Sequence, residues 1–234
     1  MIPLVFRGWH KTSYIEYPGK LSTVLFVGGC NFRCPFCHNP ELVEEWETLP
    51  RVSEEEVLVY LKKRQGLLDA VVITGGEPLL QKTLLPFVRR IKEKGYLVKV
   101  DSNGSCWETF ISLQEYVDQW GIDYKLPFAD YHRVGGEKWA PTSQRVLETL
   151  LATPERLEVR TTIFPPFHSF ETLLRMGETV VGASSWWWQS FRPEKTLLPE
   201  VKAVSPYPLP LLLEWQAKIN EKLGKDLVRL RPGQ

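Results

Sequence analysis

"GGCNFRCPFCHNP", residues 28–40, places three of the chain's four cysteines within eight positions. The spacing is C-x3-C-x2-C, over Cys30, Cys34 and Cys37. Directly before it runs "KLSTVLFVGG" (20–29), β-branched and apolar, which reads as a buried strand ending in glycines. The cysteines therefore sit in a loop at the carboxyl end of a strand, where thiolates at this spacing can wrap one compact metal centre. Two centres compete. A structural zinc takes four closed ligands. His38 or Cys106 could supply the fourth, but zinc sites usually pair two C-x2-C knuckles and no second pair exists here. A [4Fe–4S] cluster normally takes four cysteines. Three leave one iron with an open position, where a substrate or cofactor can bind.

Outward from that loop, strands and helices alternate. "SEEEVLVYLKKRQG" (53–66) opens on a serine with Glu56 three residues on, the pattern of a capping-box helix. "DAVVITGG" (69–76) is a second buried strand. "LLPFVRRIKEKG" (84–95) is a helix with a basic last turn, and "LVKVDSNG" (97–104) a third strand. Further on the pattern predicts helix over 107–119, strand over 121–127, helix over 142–151, strand over 156–165, helix over 169–177, strand over 183–191 and an amphipathic helix over 209–224. Six strands alternating with helices imply an α/β chain with parallel strands and helices outside. Right-handed crossovers curl such a sheet toward a barrel. There is no repeat, low-complexity stretch or linker, so residues 1–234 read as a single domain. Polar and glycine-rich residues follow four of the strands: Gly29–Cys37, Gly75–Pro78, Asp101–Gly104 and Asp123–Lys125. In parallel barrels the carboxyl ends of strands carry the site, so these motifs are expected to converge.

Composition narrows the class. A net charge of +1 gives no global electrostatic case for nucleic acid or acidic membranes. No apolar run is long enough to cross a bilayer, and the N-terminus lacks a signal-peptide pattern. A cytoplasmic chain is expected, and in that reducing setting clustered cysteines argue for metal or redox chemistry rather than disulfides. Trp186, Trp187 and Trp188 stand side by side among nine tryptophans, most of which are expected in the core.

The cysteine loop resembles that of the radical S-adenosylmethionine (SAM) superfamily, whose hallmark is C-x3-C-x2-C after the first strand of a partial (β/α)6 barrel. "ITGGEPLL" (73–80) resembles the family's GGE motif at the second strand. "DSNGS" (101–105) and "DYK" (123–125) resemble third- and fourth-strand motifs of enzymes that activate glycyl radical proteins. "GWHKTSYIEYPGK" (8–20), "CPFCHNPELV" (34–43), "VRTTIFP" (159–165) and "QSFRP" (189–193) resemble one subgroup, the activating proteins of anaerobic ribonucleoside-triphosphate reductase.

The resemblance implies reductive cleavage of SAM to a 5′-deoxyadenosyl radical, with a [4Fe–4S] cluster on Cys30, Cys34 and Cys37. It implies that Gly75, Gly76 and Glu77 receive the SAM amino group, and that Phe36 lies near the adenine. Independently, glycines permit close backbone approach and a carboxylate can accept from an ammonium. Asp101, with Ser102 and Asn103, and Asp123 end neighbouring predicted strands. Two carboxylates together repel unless positive charge stands between them. Lys125 is one candidate. A monovalent cation with the SAM carboxylate, which the resemblance implies, is another. The plainer reading of Asp101–Gly104 is an Asx turn. Lys125 is a candidate for the SAM carboxylate. Arg160, inside a strand pattern, needs a partner: SAM, or a protein carboxylate such as Glu158 or a neighbour. His38 is a candidate for tuning the cluster through a hydrogen bond, or a surface histidine, and Cys106 a small buried residue.

Three functions follow in order of expectation. The first is an activase that leaves a glycyl radical on a partner such as anaerobic ribonucleotide reductase, fed by a low-potential electron donor. The second is a radical SAM enzyme acting on a small molecule or an RNA base. The third is a zinc-stabilised binding module without catalysis.

Overall fold

The computed structural model describes residues 4–231. They fall into two compact units. One comprises the chain up to Asn31 together with Glu41–Trp120, and the other Phe32–Pro40 together with the chain from Gly121 on.

In the first unit the elements are β1 (Val5–Ser13), β2 (Ser22–Val27), α1 (Glu41–Glu44), β3 (Val52–Ser53), α2 (Glu54–Lys63), β4 (Ala70–Gly75), α3 (Leu84–Glu93), β5 (Leu97–Ser102) and α4 (Trp107–Leu113). β2, β4 and β5 are parallel, with Val24, Val72 and Lys99 in register across them. Their runs are buried on both faces, as parallel strands between layers require. α3 turns Leu84, Phe87, Val88 and Ile91 inward, the i, i+3, i+4, i+7 stripe of an amphipathic helix. Each such burial contributes about 1.5–3 kcal/mol.

α2 starts where expected. Ser53 Oγ accepts from the Glu56 backbone N–H at 3.2 Å, and the Glu56 carboxylate accepts from the Ser53 N–H at 2.8 Å. β1 was not legible in the sequence. It runs antiparallel to β2 and β3 with two breaks in register, and its outer half is exposed. The helix expected over 107–119 ends instead at Leu113. Asp118 holds the following chain extended, because its carboxylate accepts from the Val98 N–H at 2.7 Å and from Lys92 Nζ at 2.6 Å.

β6 (Gln119–Asp123) begins two residues before the expected strand and stops at Asp123. The second unit continues with α5 (Ala140–Leu151), β7 (Leu157–Ile163), α6 (Phe170–Val180), β8 (Ser185–Ser190), α7 (Leu209–Leu223) and β9 (Val228–Leu230). β7, β8 and β9 are parallel neighbours. β9, too short to stand out in the sequence, is pinned by Asn220. That side chain accepts from the N–H groups of Leu227 and Val228 at 3.1 and 2.8 Å and donates to the Val228 carbonyl at 3.3 Å.

The tryptophan run is explained by strand alternation. Trp186 and Trp188 are fully buried on one face of β8, edge to face at 5.3 Å, and Trp186 donates to Thr161 Oγ1 at 2.8 Å. Trp187 points to the opposite face and is half-buried. Among the described residues no helix is long and apolar enough to cross a membrane.

Candidate functional site

In the first unit the site residues gather where β2, β4 and β5 end. Gly75 has φ +114°, and a Cβ there would lie 2.5 Å from the Val27 carbonyl oxygen. A Cβ on Gly76 would lie 2.0 Å from the Gly29 oxygen. The Gly76 and Glu77 N–H groups donate to Val27 and Gly29 at 2.9 and 2.8 Å. These glycines therefore let β4 close on the chain that leads into Cys30.

Glu77 is buried, and both its oxygens are engaged. Oε1 accepts from the Leu79 N–H at 2.9 Å and from Ser102 Oγ at 2.6 Å, while Oε2 accepts from the Asn103 N–H at 2.7 Å. The acid of the GGE segment thus staples the β4 loop to the β5 loop. The Asx turn expected at Asp101–Gly104 forms two residues later, with Asn103 Oδ1 accepting from the Ser105 N–H at 2.9 Å. Asn103 Nδ2 lies 3.1 Å from Asn31 Oδ1 and 3.9 Å from Cys30 Sγ. Asn31 in turn donates to Ser105 Oγ at 2.9 Å.

Asp101 is 3% exposed, and its positive neighbour is Lys99, two residues back on the same face of β5. Lys99 is fully buried. Its ammonium donates to the Glu16 carbonyl at 2.8 Å and stands 3.6 Å from Asp101 Oδ1. Cys106 precedes α4. Burial pushes its thiol up, and the Glu77 charge adds to the effect.

In the second unit the cysteine loop is anchored at both flanks of Cys34. Arg33 N–H donates to the Val134 carbonyl at 2.9 Å, and the Leu197 and Leu198 N–H groups donate to Pro35 at 3.1 and 3.2 Å. A turn joins the Cys37 N–H to the Cys34 carbonyl at 3.1 Å. Phe32 packs against Tyr131 and Trp139, so the aromatic stretch 128–139 is the bed of this loop. Phe36 is buried, stacked on Phe164 at 5.1 Å with Phe167 at its edge.

His38 Nδ1 meets Gln189 Nε2 at 3.1 Å. Burial, followed by the charges of Arg192, Lys125 and Lys195, lowers its pKa to about 4, so the imidazole is neutral at neutral pH. Arg160 finds its partner in Asp123, while Glu158 pairs with Arg231 at 2.8 Å. Lys125 Nζ reaches Asp123 Oδ2 at 3.1 Å. Each aspartate thus has a cation of its own, Lys99 for Asp101 and Arg160 with Lys125 for Asp123. Burial works against the Asp123 charge, but these two cations hold its pKa down to about 2.

The donor set fits an iron–sulfur cluster. Cys34 is buried and Cys30 and Cys37 are half-buried, and in a cubane each thiolate binds its own iron.

Lys99, Asn31 and the Glu158–Arg231 pair escaped the sequence reading. Lys99 was findable, because strand alternation puts it on the same face as Asp101.

Comparison with known proteins bears on the family and the fold. Residues 24–180 match the family model described as the radical SAM superfamily. The chain is 32% identical over 224 residues to a Methanocaldococcus jannaschii protein named "Putative glycyl-radical enzyme activating enzyme", covering 92% of this chain and 91% of that one. It is 28% identical over 132 residues to the pyruvate formate-lyase-activating enzyme of Staphylococcus aureus, 53% of this chain and 51% of that one. Streptococcus suis SuiB, also solved bound to S-adenosylmethionine, superposes with a TM-score of 0.70 at 11% identity over 89% of this chain. The match spans 48% of SuiB, about half its length. The chain has the mostly parallel α/β fold of these proteins and belongs to the radical SAM superfamily.

Proposed function

We propose that the chain is a glycyl radical enzyme activase whose two units act as a single radical SAM domain in the cytoplasm. Its protein substrate is an enzyme of the anaerobic ribonucleotide reductase kind. The reading is carried by the cysteine trio Cys30, Cys34 and Cys37, in a chain that matches an activase-named relative over nearly its whole length. Cys30, Cys34 and Cys37 would hold a [4Fe–4S] cluster which, reduced by a low-potential donor, would supply the electron for reductive cleavage of SAM to methionine and a 5′-deoxyadenosyl radical, the species that would take a hydrogen atom from a glycine Cα of the partner.

The protein's own residues place and shield the reactants. Cys30, Cys34 and Cys37 hold the iron. The carbonyls of Gly75 and Gly76 are acceptors for the SAM ammonium, and Glu77 holds the loop that presents them. Lys125 and Arg160 offer cationic N–H groups to the SAM carboxylate, with Asp123 orienting both. A monovalent cation would add to the neutralisation of that carboxylate. The Phe36 cluster closes one side against water.

The test is an oxygen-free preparation reconstituted with iron and sulfide, given SAM, a strong reductant and an anaerobic ribonucleotide reductase. Formation of 5′-deoxyadenosine with a glycyl signal by electron paramagnetic resonance (EPR) on the partner is the expected result. Zinc in place of iron, or 5′-deoxyadenosine formed only with a small molecule or RNA, overturns it.

A further inference from the structure

We infer that the Asn103 carboxamide donates a hydrogen bond to the Cys30 thiolate and thereby raises the reduction potential of the cluster. The inference rests on the cluster reading above and assigns a positioning residue that acts through Cys30.

The orientation of the amide is determined by its surroundings. Ser105 N–H can only donate, and it lies 2.9 Å from the Asn103 oxygen, so that oxygen is the acceptor and the NH2 group faces the other way. The NH2 has two hydrogens. One meets Asn31 Oδ1 at 3.1 Å; the other is directed at Cys30 Sγ, 3.9 Å away. Sulfur's large radius lengthens such contacts relative to N–H···O.

The residue cannot easily turn away. It is 3% exposed, and its backbone N–H is tied to Glu77 Oε2 at 2.7 Å. The neighbouring Ser102 hydroxyl is tied to Glu77 Oε1 at 2.6 Å. Asn31 is itself held by its 2.9 Å bond to Ser105 Oγ. Glu77 and Asn31 thus aim Asn103 at one thiolate. A donor facing a ligand sulfur stabilises the extra negative charge of the reduced cluster more than the oxidised state, which raises the potential. Because an amide does not titrate, the effect is independent of pH.

The experiment compares wild type, Asn103→Ala and Asn103→Asp as anaerobically reconstituted holoproteins. Iron and sulfide per chain are measured, and the cluster is titrated by EPR-monitored reduction. The expected result is full iron content with a lower potential in both variants. For Asn103→Ala the reduction equilibrium falls roughly tenfold, about 59 mV for one electron, and for Asn103→Asp it falls further because a carboxylate replaces the donor. An unchanged potential in a fully loaded Asn103→Ala protein overturns the inference.

If neither variant loads iron, the decision passes to wild type carrying 15N-asparagine. Pulsed EPR of the reduced cluster then shows an asparagine nitrogen coupling, and its absence overturns the inference. A wild type that assembles no [4Fe–4S] cluster overturns the functional reading itself. A loaded, SAM-cleaving enzyme with an unmoved potential overturns only the role of Asn103.

Discussion

Arg160 meets Oδ1 of Asp123 with two nitrogens, Nε at 2.9 Å and Nη2 at 2.6 Å, while Lys125 reaches Oδ2 at 3.1 Å. Because the carboxylate is held ionised, its contribution depends on pH in a defined sense. The folded pKa is depressed from 3.8 to about 2. The stabilisation is therefore fully present above the unfolded value and is lost as pH falls through about 2. Denaturant unfolding of wild type and Asp123→Asn between pH 5 and 2 measures this. The stability gap is expected to be largest near pH 5 and to shrink by up to about 2 kcal/mol toward pH 2. A gap that stays constant refutes the assignment.

Removing a cluster ligand differs from removing the spare thiol. Cys34→Ala is expected to lose its iron and with it all 5′-deoxyadenosine formation. Cys106→Ala is expected to keep both, since its thiol is pushed toward the neutral form. Iron analysis and product chromatography of the two proteins decide the point.

Glu77 is engaged by three donors, so its loss is a folding defect as well as a site defect. Glu77→Ala strands the Leu79 N–H, the Ser102 hydroxyl and the Asn103 N–H. Each buried donor without an acceptor costs about 1–3 kcal/mol. Thermal unfolding of the iron-free protein is expected to show a loss of at least about 3 kcal/mol, with Glu77→Gln losing less.

Lys99 and Asp101 form the deepest charged pair of the first unit. Lys99→Met removes the ammonium from beside a buried carboxylate and is expected to destabilise by about 3–5 kcal/mol. Adding Asp101→Asn is expected to recover part of that loss. A double-mutant cycle by chemical denaturation gives the coupling, and additive effects of the two changes would show that the pair is uncoupled.

The sequence carried the periodic part of this molecule. The stripes on α3 and α5 and the apolar runs of β2 and β4 are local patterns, and the capping box at Ser53 lies within four residues. The three cysteines and the GGE segment were legible for the same reason. The pairing of charges was not. Nothing local links Glu158 to Arg231, 73 positions apart, or Lys99 to the Glu16 carbonyl. The engagement of Glu77 with the β5 loop likewise needed the parallel register of β4 and β5. β1 and β9 were missed because one is half exposed with two breaks in register and the other is three residues long.

β9 has a practical consequence. It lies along β8, the strand that carries Trp186 and Trp188, and Asn220 holds it there. A chain cut after Gly224 would bare the hydrogen-bonding edge of an apolar, tryptophan-rich strand, a template for unwanted pairing between molecules. Shortened versions would then aggregate for reasons unrelated to iron or SAM, and their inactivity would say nothing about the chemistry.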